Sequence, residues 1–309
     1  MAGMARLLIG RFVSLVAVLW CVVTVTFFLI RLAPGGPFDR ERKIPPQIER
    51  ALLAKYELDG PLHRQYFGYL GDLLRGDLRL STKYRNRTVN EILAQSLPVS
   101  ATLGAVAFVL SATVGVALGT LAAAMRGKWA DTGAMVWALL AISLPTFVTG
   151  PLLILMFALK LGWLPVGGWG GAAAVALPAI TLAGPYAAYV ARLMRSSLLD
   201  VLGQDFIRAA RAKGLPEWRI VIFHALKPSV LPVVSFLGPL AANLLTGSIV
   251  VEAVFNIPGA GGFFVNSILN RDGFLLGGVV IVYCTLLVGF NLIVDLVYGW
   301  LDRRIRIDG

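Results

Sequence analysis

Asp205 to Pro232 reads DFIRAARAKGLPEWRIVIFHALKPSVLP, a basic stretch set between two long runs without charge. The spacing predicts one amphipathic helix over Leu198–Lys213 with a basic face, then a second short helix over Leu215–Leu226 closed by Pro228. Gly214 suits the turn between them, since a helix C-terminus often needs a left-handed residue that only glycine adopts without cost. Pro216 falls where a first helical turn tolerates proline, and Glu217 favours that N-terminus electrostatically. Ala209, Ala210 and Ala212 keep one surface low, so that another backbone can come close. Two readings are open for this segment: a docking surface for a partner, or an interfacial helix that touches only lipid headgroups.

Working outward, the chain on either side is too apolar for an ordinary soluble domain, with 57% hydrophobic and 15% charged residues among 309. Stretches 12–30, 98–125, 132–159, 161–191, 229–251 and 273–294 carry no Asp, Glu, Lys or Arg. Each reaches the roughly 20 apolar residues that cross a bilayer as a helix, the conformation that satisfies backbone hydrogen bonds in lipid. Gly162–Gly171 reads as a loop, so the fourth span is expected from Ala172. The expectation is an all-α integral membrane protein with six transmembrane helices.

The formal charge of +11 is not spread as a nucleic-acid footprint. Arg6 and Arg11 precede the first span, Arg126 and Lys128 lie between the second and third, and Arg303, Arg304 and Arg306 follow the sixth. Arg192, Arg195, Arg208, Arg211, Lys213, Arg219 and Lys227 lie between the fourth and fifth. The short loops on the other side hold only Lys160 and Arg271. This asymmetry predicts both termini in the cytoplasm and contact with membrane lipid, with no nucleic-acid partner. Cys21 and Cys284 fall in different spans, which gives no disulfide framework. The first helix reads as an uncleaved insertion signal.

Four segments follow: an N-terminal transmembrane helix at 1–32, an extracytoplasmic segment at 33–97, a five-helix core at 98–300 and a cytoplasmic tail at 301–309. In the second segment Leu62, Tyr66, Tyr69, Leu70, Leu73 and Leu74 share one helical face, with Gly76 as a stop. This predicts either a helix lying on the membrane or a small cap packed on the bundle. In the second span Ala107, Ser111, Gly115, Gly119 and Ala123 recur every fourth residue, which lets helix backbones approach closely in lipid. Pro145 and Pro151 in the third span, and Pro178 and Pro185 in the fourth, each remove a hydrogen bond and invite a kink.

The central segment resembles the cytoplasmic loop of binding-protein-dependent ABC importer permeases, written Glu-Ala-Ala, three residues, Gly. Ala209 and Ala210 match the alanines and Gly214 the glycine, while Arg208 stands at the acidic position. The run from Asp205 to Gly214 is similar to the dipeptide/oligopeptide/nickel branch of that family. The likeness continues through Gly60-Pro61, Gly76-Asp77-Leu78, Ser143-Leu144-Pro145-Thr146-Phe147, Gly162-Trp163-Leu164-Pro165, Leu177-Pro178-Ala179-Ile180 and Glu252 to Gly261. Arg79 departs from the pattern, standing where glycine is more usual after Gly76-Asp77-Leu78. Arg303 also departs, replacing a proline.

The resemblance implies a type I ABC importer permease fold and a translocation subunit for peptides or similar small solutes. It implies pairing with a second homologous permease subunit and two ATP-binding-cassette ATPase subunits docking on 205–226. The docking residues would be Asp205, Arg208, Ala209, Ala210, Ala212, Lys213, Gly214, Leu215, Glu217 and Trp218. An extracytoplasmic substrate-binding protein would deliver cargo at the inner membrane. ATP and Mg would be bound by the partner subunits. Dipeptides, longer peptides, nickel chelates, glutathione-like thiols and haem all stay open as cargo.

The residues themselves argue the same way by what they lack. Gly127-Lys128 is followed by Trp129, so the chain has no phosphate-cradling loop and no cofactor of its own is expected. His63 and His224 flank no carboxylate pair, which leaves catalytic or metal chemistry without a constellation. An ion-coupled carrier is the alternative reading, and it needs a mid-membrane ionisable site. Asp295, near the end of the last span, is explained better by Arg303 or Arg304. Neutral polar candidates for a translocation pathway are Ser143, Thr146, Asn243, Thr246, Ser248 and Asn291.

Overall fold

The computed structural model describes residues 2–32, 45–84, 86–245 and 248–301, for the backbone alone at 2–9, 11, 12, 46, 48, 49 and 294–301. In chain order the helices are α1 (Ala2–Leu32), α2 (Pro46–Lys55), α3 (Leu62–Leu74) and α4 (Val89–Ala124). Next come α5 (Trp129–Ser143), α6 (Thr146–Lys160, π-helical from Ile154), α7 (Ala172–Leu202) and α8 (Asp205–Ala212). The remainder are α9 (Glu217–Ser229), α10 (Leu231–Leu245), α11 (Ile249–Val254), α12 (Ala260–Leu269) and α13 (Gly273–Leu301). The described residues form no strand beyond an isolated bridge between Leu80 and Thr88. Four helices are long and apolar enough to span a membrane singly, and two bent pairs, α5 with α6 and α9 with α10, bring the number to six.

The third span is more than kinked. Leu144 is extended, as a residue before proline prefers, and Pro145 caps α6, so α5 and α6 meet at 111°. Pro151 sits inside α6, whose backbone then widens into the π-helical stretch Ile154–Lys160. Pro178 and Pro185 lie inside α7 without interrupting it. At 31 residues, α7 is about 46 Å long, more than the roughly 30 Å of a hydrocarbon core, so it projects beyond the bilayer.

Two compact units divide the chain: Met1–Val99 with Gly259–Gly289, and Ser100–Pro258 with Phe290–Ile305. Residues 259–289 thus group with the N-terminal segment. In the first unit Val89, Ile92 and Leu93 of α4 pack with Ala260, Phe274, Leu275 and Val279. A second cluster joins Val23 and Phe27 of α1 to Tyr69 of α3, flanked by Tyr66, Leu70 and Leu73. Thr24 Oγ1 and Tyr66 Oη share a hydrogen bond at 2.7 Å, and Arg31 Nε donates to Gln65 Oε1 at 3.0 Å.

The 33–97 segment therefore places α3 against α1. The periodicity placed Leu62 and Leu74 on the packed face, yet both are exposed, Leu74 at 90%. They are the first and last residues of α3, where the helix ends before its stripe can be covered. Burial pushes the Tyr69 phenol up to about 12, against the lowering influence of Arg31 and Arg79. Residues 33–44 lie outside the described residues.

The second unit is organised on α7, most of whose inner residues from Leu177 to Val201 are buried. The small-residue stripe of α4 is buried throughout, as expected for packing inside the chain. Gly115 lies against Val190 and Ala187, Gly119 against Ala191 and Met194, and Ser111 Oγ donates to Ala183 O at 3.2 Å. On α5 the buried small residues Ala130, Ala134 and Ala138 repeat the device. At its first turn Asp131 accepts two bonds from Arg195 of α7, at 2.6 and 2.8 Å, and one from Gly127 N at 3.0 Å. The Gly162–Gly171 loop is pinned to the end of α11, with Gly168 N donating to Phe255 O at 2.8 Å. A side chain at Gly167 would collide with that same carbonyl.

Candidate docking site

Asp205–Pro232 folds as two short helices with a sharp turn, but not with the boundaries its pattern suggested. The helix expected over Leu198–Lys213 is interrupted. α7 ends at Leu202, Gly203 and Gln204 form a turn through bonds to Asp200 O and Val201 O, and α8 restarts at Asp205. Arg208 Nη2 donates to Gly203 O at 3.3 Å, satisfying a carbonyl at the break. The second helix starts at Glu217 rather than Leu215, because Pro216 is its extended cap. It runs through Pro228 to Ser229, since the preceding backbone has already widened into π-helical Ile220–Ala225.

Gly214 makes the turn. Its φ is +78°, its N–H donates to Arg211 O at 2.9 Å, and Leu215 N donates to Ala210 O at 3.4 Å. These are the two bonds of a Schellman ending, which uses up carbonyls that the end of α8 would otherwise leave bare. Beyond the turn Arg211 grips Glu217, Nε to Oε1 at 2.7 Å and Nη2 to Oε2 at 3.3 Å. That hydrogen bond raises the Arg211 pKa.

Ile207, Ala210, Ile220, Val221 and Ala225 are buried and hold the helix pair on the protein. Asp205, Arg208, Ala209, Ala212, Lys213, Glu217 and Trp218 are exposed, and Leu215 is half-buried. Ala210 thus belongs to the anchoring face, while Ala209 and Ala212 face outward. The Asp205–Arg208 pair at 3.2 Å is open to solvent and contributes little.

The sequence reading missed the apolar part of this surface: Phe206, Ile222 and Phe223 are exposed together with Trp218, Phe223 at 68%. Trp218 and Phe223 meet edge to face with ring centroids 6.3 Å apart, and the Arg219 guanidinium lies 5.1 Å from the Trp218 ring centre. The signal was there in three large apolar residues within an otherwise charged stretch. Their common face depends on the π-helical stretch, which brings residues five apart together where an α-helix brings three or four. Bare aromatic surface beside exposed Arg208, Arg211, Lys213 and Arg219 is the composition of a protein-contact site.

Among the described residues no hydrogen bond joins two of the pathway candidates. Ser143 is exposed and Thr146 half-buried, on either side of the α5–α6 break. Asn243 Nδ2 donates to Tyr186 Oη at 3.4 Å, a partner the sequence did not suggest. Ser248 caps α11 by accepting from Val251 N, and Asn291 is half-buried in α13. Thr246, like Arg303 and Arg304 and the side chain of Asp295, lies outside the described residues. Among the described residues no group of three His, Cys, Asp or Glu could hold a metal ion.

Residues 115–307, which include the whole docking segment, match the family described as the binding-protein-dependent transport system inner membrane component. Over 305 residues the chain is 45% identical to the oligopeptide transport system permease protein OppB of Haemophilus influenzae, covering 98% of this chain and all of that one. It is 41% identical over 304 residues to the dipeptide transport system permease protein DppB of Bacillus subtilis, covering 98% and 99%. In three dimensions it is similar to a chain of the MetNI methionine ABC transporter in an inward-facing conformation. The TM-score is 0.58 over 69% of this chain and 97% of that chain, and at 17% identity the likeness concerns the fold alone.

Proposed function

The chain belongs to the binding-protein-dependent transport system inner membrane component family, and from that premise we propose the assembly in which it works and the surface through which it is driven. It is a multi-pass membrane permease with the type I ABC importer fold, the translocation subunit of an ABC importer whose cargo is peptides. An importer of this family works with ATPase and substrate-binding partners. The composition we propose is one second homologous permease, two ATPase subunits and one extracytoplasmic binding protein. ATP and Mg are held by the ATPase subunits, and this chain carries no catalytic step.

The observation that carries the coupling role is the helix pair at 205–226, with its aromatic and basic outer surface beside the Schellman turn. An ATPase groove that closes on ATP pushes on this pair. The buried side of the pair, Ile207, Ala210, Ile220 and Val221, transmits the push to α7 and α10. Both termini and this segment are cytoplasmic, following the charge asymmetry. Ser143, Thr146, Asn243, Thr246 and Asn291 are the side chains proposed to meet cargo during passage, with Tyr186 orienting Asn243.

Reconstitution tests the reading. Liposomes holding the permease pair and the ATPases, with loaded binding protein on the outer side, take up peptide only when ATP is supplied on the ATPase side. Liposomes holding this chain alone take up none. Peptide uptake by the lone chain under an ion gradient would replace the importer reading with that of a coupled carrier. Cysteines introduced by Arg75→Cys label from outside sealed cells, and those from Arg211→Cys only after permeabilisation.

A further inference from the structure

The N-terminal unit contains a cavity of about 460 Å³, within the size range of small-molecule sites. Leu53, Leu58, Phe274 and Leu276 form its apolar wall. Among the described residues its charged lining is of one sign, because Arg31 and Arg271 border it and no carboxylate does. Its place in the fold is equally specific. Arg31 is the penultimate residue of the candidate span Val13–Leu32, and Gly273, also lining the cavity, begins the candidate span Gly273–Ile293. Two membrane helices therefore end at this site, where hydrocarbon gives way to headgroups.

Three observations point to an amphiphile with an anionic end. Thr82 borders the cavity, and its Oγ1 is buried with no hydrogen-bond partner among the described residues. A buried hydroxyl in that state costs free energy unless something in the cavity accepts from it. Arg271 is exposed on the turn between α12 and α13, with φ +56°, so its charge stands at the cavity without a structural bond to hold it elsewhere among the described residues. Arg31 Nε is engaged by Gln65 and Nη1 by Phe27 O at 3.4 Å, which fixes the guanidinium beside the cavity.

We propose that this cavity holds one phospholipid from the leaflet that meets this end of the spans. An acyl chain lies against Leu53, Leu58, Phe274 and Leu276. The phosphate sits within reach of Arg31 and Arg271, and the Thr82 hydroxyl donates to an ester or phosphate oxygen. Basic pockets between membrane helices bind phosphate headgroups by this chemistry, and guanidinium matches phosphate geometry in particular. The lipid then acts as a wedge between α1, α2, α3 and α13.

The test uses the full chain, purified with its partner subunits in detergent and supplied with phosphatidylglycerol carrying a diazirine on one acyl chain. Label is expected on peptides containing Leu53, Leu58 and Leu276, and lipid retained in native mass spectrometry falls about fivefold in Arg271→Asn and again in Arg31→Gln. Asparagine tolerates the left-handed backbone at 271, so that variant reads charge rather than strain. Leu276→Trp fills the cavity without touching either arginine and abolishes label at Leu53 and Leu58. The proposal is overturned by label confined to the exposed Val13, Trp20 and Val25 of α1. It is equally overturned by label at Leu53 and Leu58 that survives Leu276→Trp, or by unchanged retention in the arginine variants.

Discussion

Arg211 and Glu217 face each other across the Gly214 turn as a two-pronged pair, at 2.7 and 3.3 Å. Both side chains are largely exposed, at 42% and 64%, so the pair contributes on the order of 1 kcal/mol or less to stability. Its effect is geometric: it ties the last turn of α8 to the first of α9 and sets the angle at which the aromatic surface is presented.

That geometry makes Gly214 the most sensitive residue of the segment. A Cβ there meets nothing within 4 Å, so Gly214→Val is opposed only by the left-handed backbone, at about 1 kcal/mol or somewhat more. Membrane insertion and the thermal unfolding midpoint of the bundle stay near wild type, while ATPase attachment and stimulation by loaded binding protein fall. Gly214→Asn, which tolerates positive φ, retains more of both. Equal coupling in wild type and Gly214→Val would show that the turn is dispensable.

Arg79 explains why glycine is the expected residue at its position. Its φ is +68°, and the strain is offset by Asp72 at 2.6 Å and Glu57 at 3.0 Å on the same guanidinium nitrogen. Arg79→Ala keeps the strained backbone and strands Asp72, costing about 2 kcal/mol. Arg79→Gly relieves the backbone and recovers about 1 kcal/mol of that. Unfolding of the purified chain in detergent resolves the two, and identical midpoints would remove the strain argument.

The stripe on α4 has little room. A Cβ at Gly115 falls 2.5 Å from Val190 Cβ and 2.7 Å from Ala187 O, so Gly115→Val forces α4 from α7 at a cost of about 1–3 kcal/mol. Gly133→Ala, in a helix with nothing within 4 Å, is neutral or slightly stabilising. The yield and unfolding midpoint of monodisperse protein separate the two variants, and tolerance at Gly115 would mean that the helices are looser than described.

The sequence carried the span positions and the Gly214 turn because both rest on strong local rules, twenty apolar residues for a bilayer and a left-handed glycine for a helix end. It failed where a weak local preference was decided by packing. Gly203 inside a helical pattern costs only about 1 kcal/mol, so nothing flagged that α7 would stop there. The proline at 145 announced a break, but the 111° turn comes from the α6 residues finding partners on α7 and α11. Phe223 was passed over because the π-helical stretch at 220–225 puts it beside Trp218, a neighbour that 3.6-residue periodicity does not predict. Among the pathway residues, neutral polar side chains in apolar runs look alike, and only the structure pairs Asn243 with Tyr186.

The most direct test of the account is a crosslink between this segment and an ATPase subunit. In a chain with Cys21 and Cys284 replaced by serine, Ala212→Cys and Trp218→Cys place single thiols on the exposed face. In the assembled transporter both are predicted to crosslink to the ATPase through a short bismaleimide, in a yield that changes when ATP is bound, while Lys160→Cys gives none. An active transporter in which Lys160→Cys captures the ATPase and neither Ala212→Cys nor Trp218→Cys does would contradict the account.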